Sequence, residues 1–178
     1  TPDDRTRRHT ASGWSAVVGN GSIRLANLLE AEANLPIGLL DYAMSGTGLH
    51  ADYGGAGNWM DLTAGKPYPL FATGLTAVGG DCELVLWNQG ESDALNSVSK
   101  TTYKADMDTL YTRIRTATGR STSTLKFGCA ILGTNSDAGT TAASTDAIRQ
   151  AQLEWVRDTT GAFFAGASVD IARTDAFH

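Results

Sequence analysis

The sequence predicts an α/β fold of three layers, α/β/α, with a parallel sheet between helices. Two observations carry that reading. Short apolar runs rich in strand-forming residues alternate with longer stretches of helical periodicity. Neither an internal repeat nor a linker-like stretch divides the chain, whose 178 residues suffice for one domain around one core.

The first helix is read from Ile23, Ala26, Leu29 and Ala33, which recur at three- and four-residue spacing with Glu30 and Glu32 off that face. Asn20-Gly21-Ser22 supplies a cap before it, and Pro36 ends it. Ile37-Gly38-Leu39-Leu40-Asp41-Tyr42-Ala43 reads as a buried strand, followed by the glycine-rich turn Met44-Ser45-Gly46-Thr47-Gly48. Residues 50 to 80 are rich in glycine and poor in periodicity, and they read as a long surface excursion, a kind of segment that is usually functional or mobile. Glu83-Leu84-Val85-Leu86-Trp87 is a second strand, closed by the polar turn Asn88-Gln89-Gly90-Glu91-Ser92-Asp93. Tyr103, Met107, Leu110, Tyr111 and Ile114 share one face of a helix. Residues 125 to 132 form a third strand and residues 133 to 143 a polar loop. Ile148, Ala151, Trp155 and Val156 mark another helix, and Phe163-Phe164-Ala165-Gly166-Ala167-Ser168-Val169 a fourth strand.

Bulk properties narrow the functions. The formal net charge is -5 and the pI about 5.0, whereas a nucleic-acid binder normally carries a basic surplus. No apolar run reaches the roughly 20 residues that span a bilayer. Cys82 and Cys129 are too few for a disulfide framework and lack metal spacing, so both read as buried free thiols. The chain opens on Thr1-Pro2-Asp3 with no start methionine and no signal-peptide apolar segment, and it closes on His178. It is expected to be a single domain over residues 1–178, incomplete at both ends.

In open parallel sheets, ligands bind beyond the carboxyl ends of the strands. Three polar segments follow strands here: residues 45–48, residues 88–93, and the tail 170–178. A parallel sheet gathers all three at one edge. In the tail, Asp175-Ala176-Phe177-His178 sets an acid and a histidine three residues apart, a spacing that brings both to one face. The carboxylate can then orient the imidazole as a general base. Asp-x-x-His is a short pattern that also arises by chance. In the turn after Trp87, Gly90 permits close backbone approach and Gln89 offers a neutral amide donor suited to a developing oxyanion. Residues 45–48 offer backbone N–H groups to the same end. An ordinary polar turn explains either of these two equally well. No Gly-x-x-x-x-Gly-Lys-Ser/Thr run supports a phosphate loop. His9 and His50 have no acid at useful spacing and read as surface residues.

Together these segments resemble the SGNH hydrolase superfamily, and within it the sialate O-acetylesterase-type carbohydrate esterases. The residues that carry the resemblance are Trp87-Asn88-Gln89-Gly90-Glu91-Ser92 after a strand, the Pro36-Ile37-Gly38-Leu39 strand with its Ser45-Gly46-Thr47 turn, the helix around Ile148-Arg149-Gln150-Ala151-Gln152, and Asp175 with His178. The resemblance spans roughly residues 14 to 178. It implies a flavodoxin-like SGNH fold and a carboxylic ester hydrolase that removes acetyl groups from carbohydrates by a Ser-His-Asp mechanism, with no cofactor and no metal. It assigns Asp175 and His178 as acid and base, Gly46, Gln89 and Gly90 to the oxyanion hole or substrate positioning, and Glu91 to ordering the site. An acetylated carbohydrate is the implied partner, with neither nucleic acid nor membrane, and an extracellular, periplasmic or virion-associated location is favoured.

The family's nucleophilic serine lies in a Gly-Asp/Gln-Ser-Asn motif that this chain lacks. Three explanations stand. The serine is carried by a missing segment before Thr1 or by a second chain. Ser45 substitutes for it. Or the chain is a non-catalytic carbohydrate-binding module. An SGNH lipase or thioesterase acting on fatty acyl esters is a further alternative. Tyr53, Trp59 and Tyr68 in the 50–80 excursion fit either a sugar-stacking wall or a small apolar cluster of the loop itself.

Overall fold

The computed structural model describes residues 7–10, 13–16, 21–34, 37–50, 56–133 and 139–167. Its elements, in chain order, are β1 (Arg7–Thr10), β2 (Gly13–Ala16), α1 (Gly21–Ala33), β3 (Gly38–Leu40), α2 (Pro67–Ala77), β4 (Leu84–Trp87), α3 (Glu91–Leu95), α4 (Lys100–Thr118), β5 (Lys126–Ile131), α5 (Ala142–Asp158) and β6 (Ala162–Ala167).

The parallel α/β reading holds. β4, β5 and β6 form a parallel sheet in that order, with Leu86 opposite Gly128 and Gly128 opposite Phe163. The central strand β5, flanked on both edges, is buried at Phe127, Gly128, Cys129 and Ile131, and Gly128 is covered by the neighbouring Phe163 and Leu86 side chains. A second sheet has the order β2-β1-β3. There β3 runs parallel to β1, and β1 pairs antiparallel with β2, a hairpin the apolar pattern did not announce. The predicted strand over residues 37–43 is correspondingly shorter, three residues long. Among the described strands no hydrogen-bonded ladder joins β3 to β4.

α4 and α5 pack against each other, and α5 lies on β5 and β6. Local chemistry fixes both helices. Ser99 caps α4 by accepting the Thr102 N–H at 3.1 Å, and Gly119, at φ 67°, ends it in the left-handed conformation that glycine adopts at least cost. At the start of α5, Thr141 and Ser144 form a reciprocal capping box. Between helices and sheet lies an aromatic stack. The Phe127 and Trp155 rings are 5.1 Å apart, Tyr111 meets both edge-on, and Trp87 continues the stack to Trp59 at 5.1 Å.

The 50–80 excursion is not the surface loop the sequence suggested. Trp59 is buried in the main core, Met60, Tyr68 and Phe71 pack against that core, and α2 occupies residues 67–77. Trp59 packs on Trp87, so it is no sugar-stacking wall, and Tyr68 lies half-buried beneath the Arg113 guanidinium, 5.5 Å from its ring centre. Tyr53 lies outside the described residues. α2 closes against residue 42 at Gly74, where a Cβ would fall 2.0 Å from the Tyr42 hydroxyl. Both cysteines are free: Cys129 is buried and Cys82 partly so. Among the described residues no helix is long and apolar enough to cross a membrane.

Candidate active site

The site is built where β4 ends. Trp87 is the last residue of that strand, and the chain leaves through Asn88-Gln89-Gly90 into α3. Gly90 sits at φ 154°, and a Cβ there would lie 2.9 Å from Ile148 Cγ2 and 3.2 Å from Leu132 Cδ2. Only glycine fits a turn pressed this closely on α5. Glu91 opens α3, half-buried, and Asp93 follows two residues on with no solvent exposure.

A carboxylate buried this way needs hydrogen-bond donors in place of water. Asp93 accepts the Leu49 N–H at 2.6 Å and the His50 N–H at 2.8 Å, both from the turn beyond β3. It also accepts the Gln89 side-chain N–H at 2.7 Å, on the same oxygen, Oδ2, as the Leu49 bond. The two turns that the parallel-sheet argument placed at one edge are therefore joined by one side chain.

Gln89 is itself 9% exposed and held at both ends. The Tyr103 hydroxyl lies 3.1 Å from both its Oε1 and its backbone carbonyl. Gln152 of α5 donates to that carbonyl at 2.7 Å, while its own Oε1 accepts the Leu132 N–H at 2.8 Å. The Trp87 indole N–H points at the Tyr103 hydroxyl at 3.4 Å. Burial, with the Asp93 charge second, pushes the Tyr103 phenol well above its ordinary value, so it stays a neutral O–H. Among the described residues, the second hydrogen on Gln89 Nε2 meets no acceptor.

In the other turn, Gly46 takes φ 73°, Thr47 is buried with its hydroxyl donating to the Met44 carbonyl at 2.8 Å, and Ser45 is exposed. Gly48 and Leu49 then accept the N–H groups of Trp59 and Met60. Of the residues singled out in the sequence, Gly46, Gln89, Gly90 and Glu91 thus lie on two turns tied together through Asp93, whereas Asp175 and His178 lie outside the described residues. Asp93, Tyr103 and Gln152 were missed, because nothing in a linear pattern marks residues that meet only in the fold.

The reading of His50 as a surface residue holds, but the fold gives it a partner that sequence spacing did not show. Its Nδ1 lies 2.7 Å from Asp106 Oδ2 on α4, across 56 residues, so it does have an acid partner, though its side chain is half exposed. Among the described residues no cluster of three or more His, Cys, Asp or Glu could hold a metal ion.

Fold and site together define an α/β domain in which two polar turns beyond the carboxyl ends of parallel strands are tied together by the Asp93 carboxylate. Within that class, the chain belongs to the carbohydrate esterase family of the sialic acid-specific acetylesterases, whose model matches residues 6–178. The family is one of ester hydrolases. Two solved structures share the fold. One is a protein of Arabidopsis thaliana, with TM-score 0.74 and 22% identity over 100% of this chain and 74% of that one. The other is a carbohydrate acetylesterase of Xanthomonas citri, with TM-score 0.73 and 20% identity over 98% of this chain but 45% of that one. No curated protein sequence matches.

Proposed function

We propose that this chain is part of a serine esterase that removes acetyl groups from carbohydrates. His178 takes the proton of a serine hydroxyl and Asp175 orients the imidazole. The serine oxygen attacks the ester carbonyl, and the Gln89 N–H with backbone N–H groups near Gly46 stabilises the oxyanion. As the bond from the acyl carbon to the sugar oxygen breaks, His178 protonates that oxygen to free the sugar hydroxyl, and water repeats the cycle to release acetate. The observation that carries this reading is the Gln89 amide. It is clamped at one end of a parallel strand, beside a glycine turn, with one N–H still unspent among the described residues.

The nucleophile is proposed to come from a segment outside these 178 residues, as a parallel strand alongside β4. Two features favour that position. The edge of β4 away from β5 carries no paired strand among the described residues. On the face shared by Leu86, Gly128 and Phe163, Leu86 is 47% and Phe163 40% exposed, large apolar side chains that a fuller domain would cover. Ser45 is the alternative within the chain, exposed beside Gly46.

The test is acetate release from O-acetylated sialic acid and acetylated xylo-oligosaccharides by the natural full-length product. Activity that falls on His178→Ala supports the esterase. Binding of these sugars without any acetate release contradicts it.

A further inference from the structure

We propose that Asp93 is a positioning residue for Gln89: its buried carboxylate dictates that the N–H end of the Gln89 amide, not the carbonyl end, faces the turn at residues 46–50. This rests on the reading of Gln89 as an oxyanion donor given above.

A glutamine amide is nearly symmetric in shape, so its orientation is set only by its partners. The Tyr103 hydroxyl sets it only weakly, because a hydroxyl can donate to an oxygen or accept from an N–H, and the Trp87 and Gln152 N–H groups on its acceptor side lie at 3.4 and 3.3 Å. An ionised carboxylate only accepts. At 2.7 Å from Asp93 Oδ2, the amide nitrogen is the one end that fits; a flipped amide would press its oxygen against a carboxylate oxygen. The same Oδ2 accepts the Leu49 N–H at 2.6 Å, and Oδ1 the His50 N–H at 2.8 Å. One side chain therefore orients the donor and locks the neighbouring turn to it. A flipped Gln89 would offer a lone pair to a developing oxyanion, and the donor would become a repulsive group.

Replacing Asp93 with asparagine keeps the shape but supplies an amide that pairs with either orientation of Gln89. The experiment is a double-mutant cycle in the natural full-length product, with Asp93→Asn, Gln89→Ala and both together, read as kcat and KM for acetate release. Gln89→Ala is expected to lower kcat by about 10²–10³-fold. Asp93→Asn is expected to lower kcat about tenfold or more with KM little changed, and to cost almost nothing further once Gln89 is alanine. An equal factor with and without Gln89 would make Asp93 a structural residue and overturn the inference alone. A Gln89→Ala enzyme with full activity would overturn both the inference and the esterase reading of Gln89.

Should Asp93→Asn not fold, the unsubstituted full-length product answers by NMR with nitrogen-labelled glutamine, to which these 178 residues contribute Gln89, Gln150 and Gln152. A through-space contact from a Gln89 side-chain N–H to the Leu49 backbone N–H is expected. Contact of that amide with the Tyr103 ring alone would show the flipped orientation and overturn the inference.

Discussion

Gln152 on α5 and Gln89 beyond β4 are joined by a bond of 2.7 Å from the Gln152 amide to the Gln89 carbonyl, across 63 residues of chain. The other end of the same amide accepts the Leu132 N–H at the end of β5. Gln152 is wholly buried, so neither partner has water to fall back on. Gln152→Leu keeps the bulk and removes both bonds. The Leu132 N–H is orphaned at about 1–3 kcal/mol, and the Gln89 carbonyl, which keeps the Tyr103 hydroxyl, loses one bond worth about 1 kcal/mol, so the predicted loss is about 2–4 kcal/mol. In a domain of this size that lowers Tm by about 5–15 °C. A thermal melt decides, and a Tm that stays put would mean the network holds nothing together.

Two glycines in close quarters should respond differently. At Gly128 a new Cβ would meet Phe163 Cζ at 2.6 Å, but that ring is 40% exposed and able to swing away. At Gly90 the neighbours are Ile148, Leu132 and Gln152, all buried, and the backbone sits at φ 154°. Gly90→Ala is predicted to cost about 2–4 kcal/mol and Gly128→Ala less than about 1 kcal/mol. Urea midpoints of the two variants give the comparison, and equal midpoints would contradict it.

Burial pushes the Cys129 thiol up to about 12 and the Cys82 thiol up to about 11, the latter raised further by Asp81. Only the thiolate alkylates. At pH 8 even Cys82 is ionised in roughly one molecule in a thousand, so iodoacetamide should modify neither cysteine in the folded protein and both within minutes in denaturant. Mass spectrometry of the two samples checks this. Rapid native labelling of Cys129 would contradict the core as described.

Arg157 first, then Lys104, hold the Asp158 carboxyl well below its ordinary value of 3.8. A carboxylate depressed by folding contributes stability above its unfolded value and loses that contribution as the pH falls through the folded one. The stability difference between the wild-type chain and Asp158→Asn should therefore be present at pH 7 and shrink steadily below about pH 4. Denaturant titrations at several pH values test it. A difference that grows on acidification would reverse the sign. Asp158 is exposed, so salt should also diminish the effect.

The parallel sheet was legible because buried strands such as Leu125-Lys126-Phe127-Gly128-Cys129-Ala130-Ile131 are short apolar runs, and α4 and α5 carry their core residues at helical spacing. α2 was not, because the glycine-rich segment 50–80 shows little periodicity, although proline at a first helical turn, as Pro67 is, is a start. β1, Arg7-Arg8-His9-Thr10, has no apolar alternation to betray it. Of the site, Gln89 and Gly90 were visible as a turn after a strand. The carboxylate that orients Gln89 was visible only as one more acid in a polar segment, and His50 found its partner 56 residues away, where no spacing rule reaches.

The most direct test of the proposed serine esterase is fluorophosphonate labelling of the natural full-length product, with peptide mapping of the adduct and a His178→Ala control. The expected result is one labelled serine outside residues 1–178 that is no longer labelled when His178 is replaced. A product in which no serine reacts would contradict acyl-enzyme chemistry, and a label on Ser45 would place the nucleophile within this chain instead.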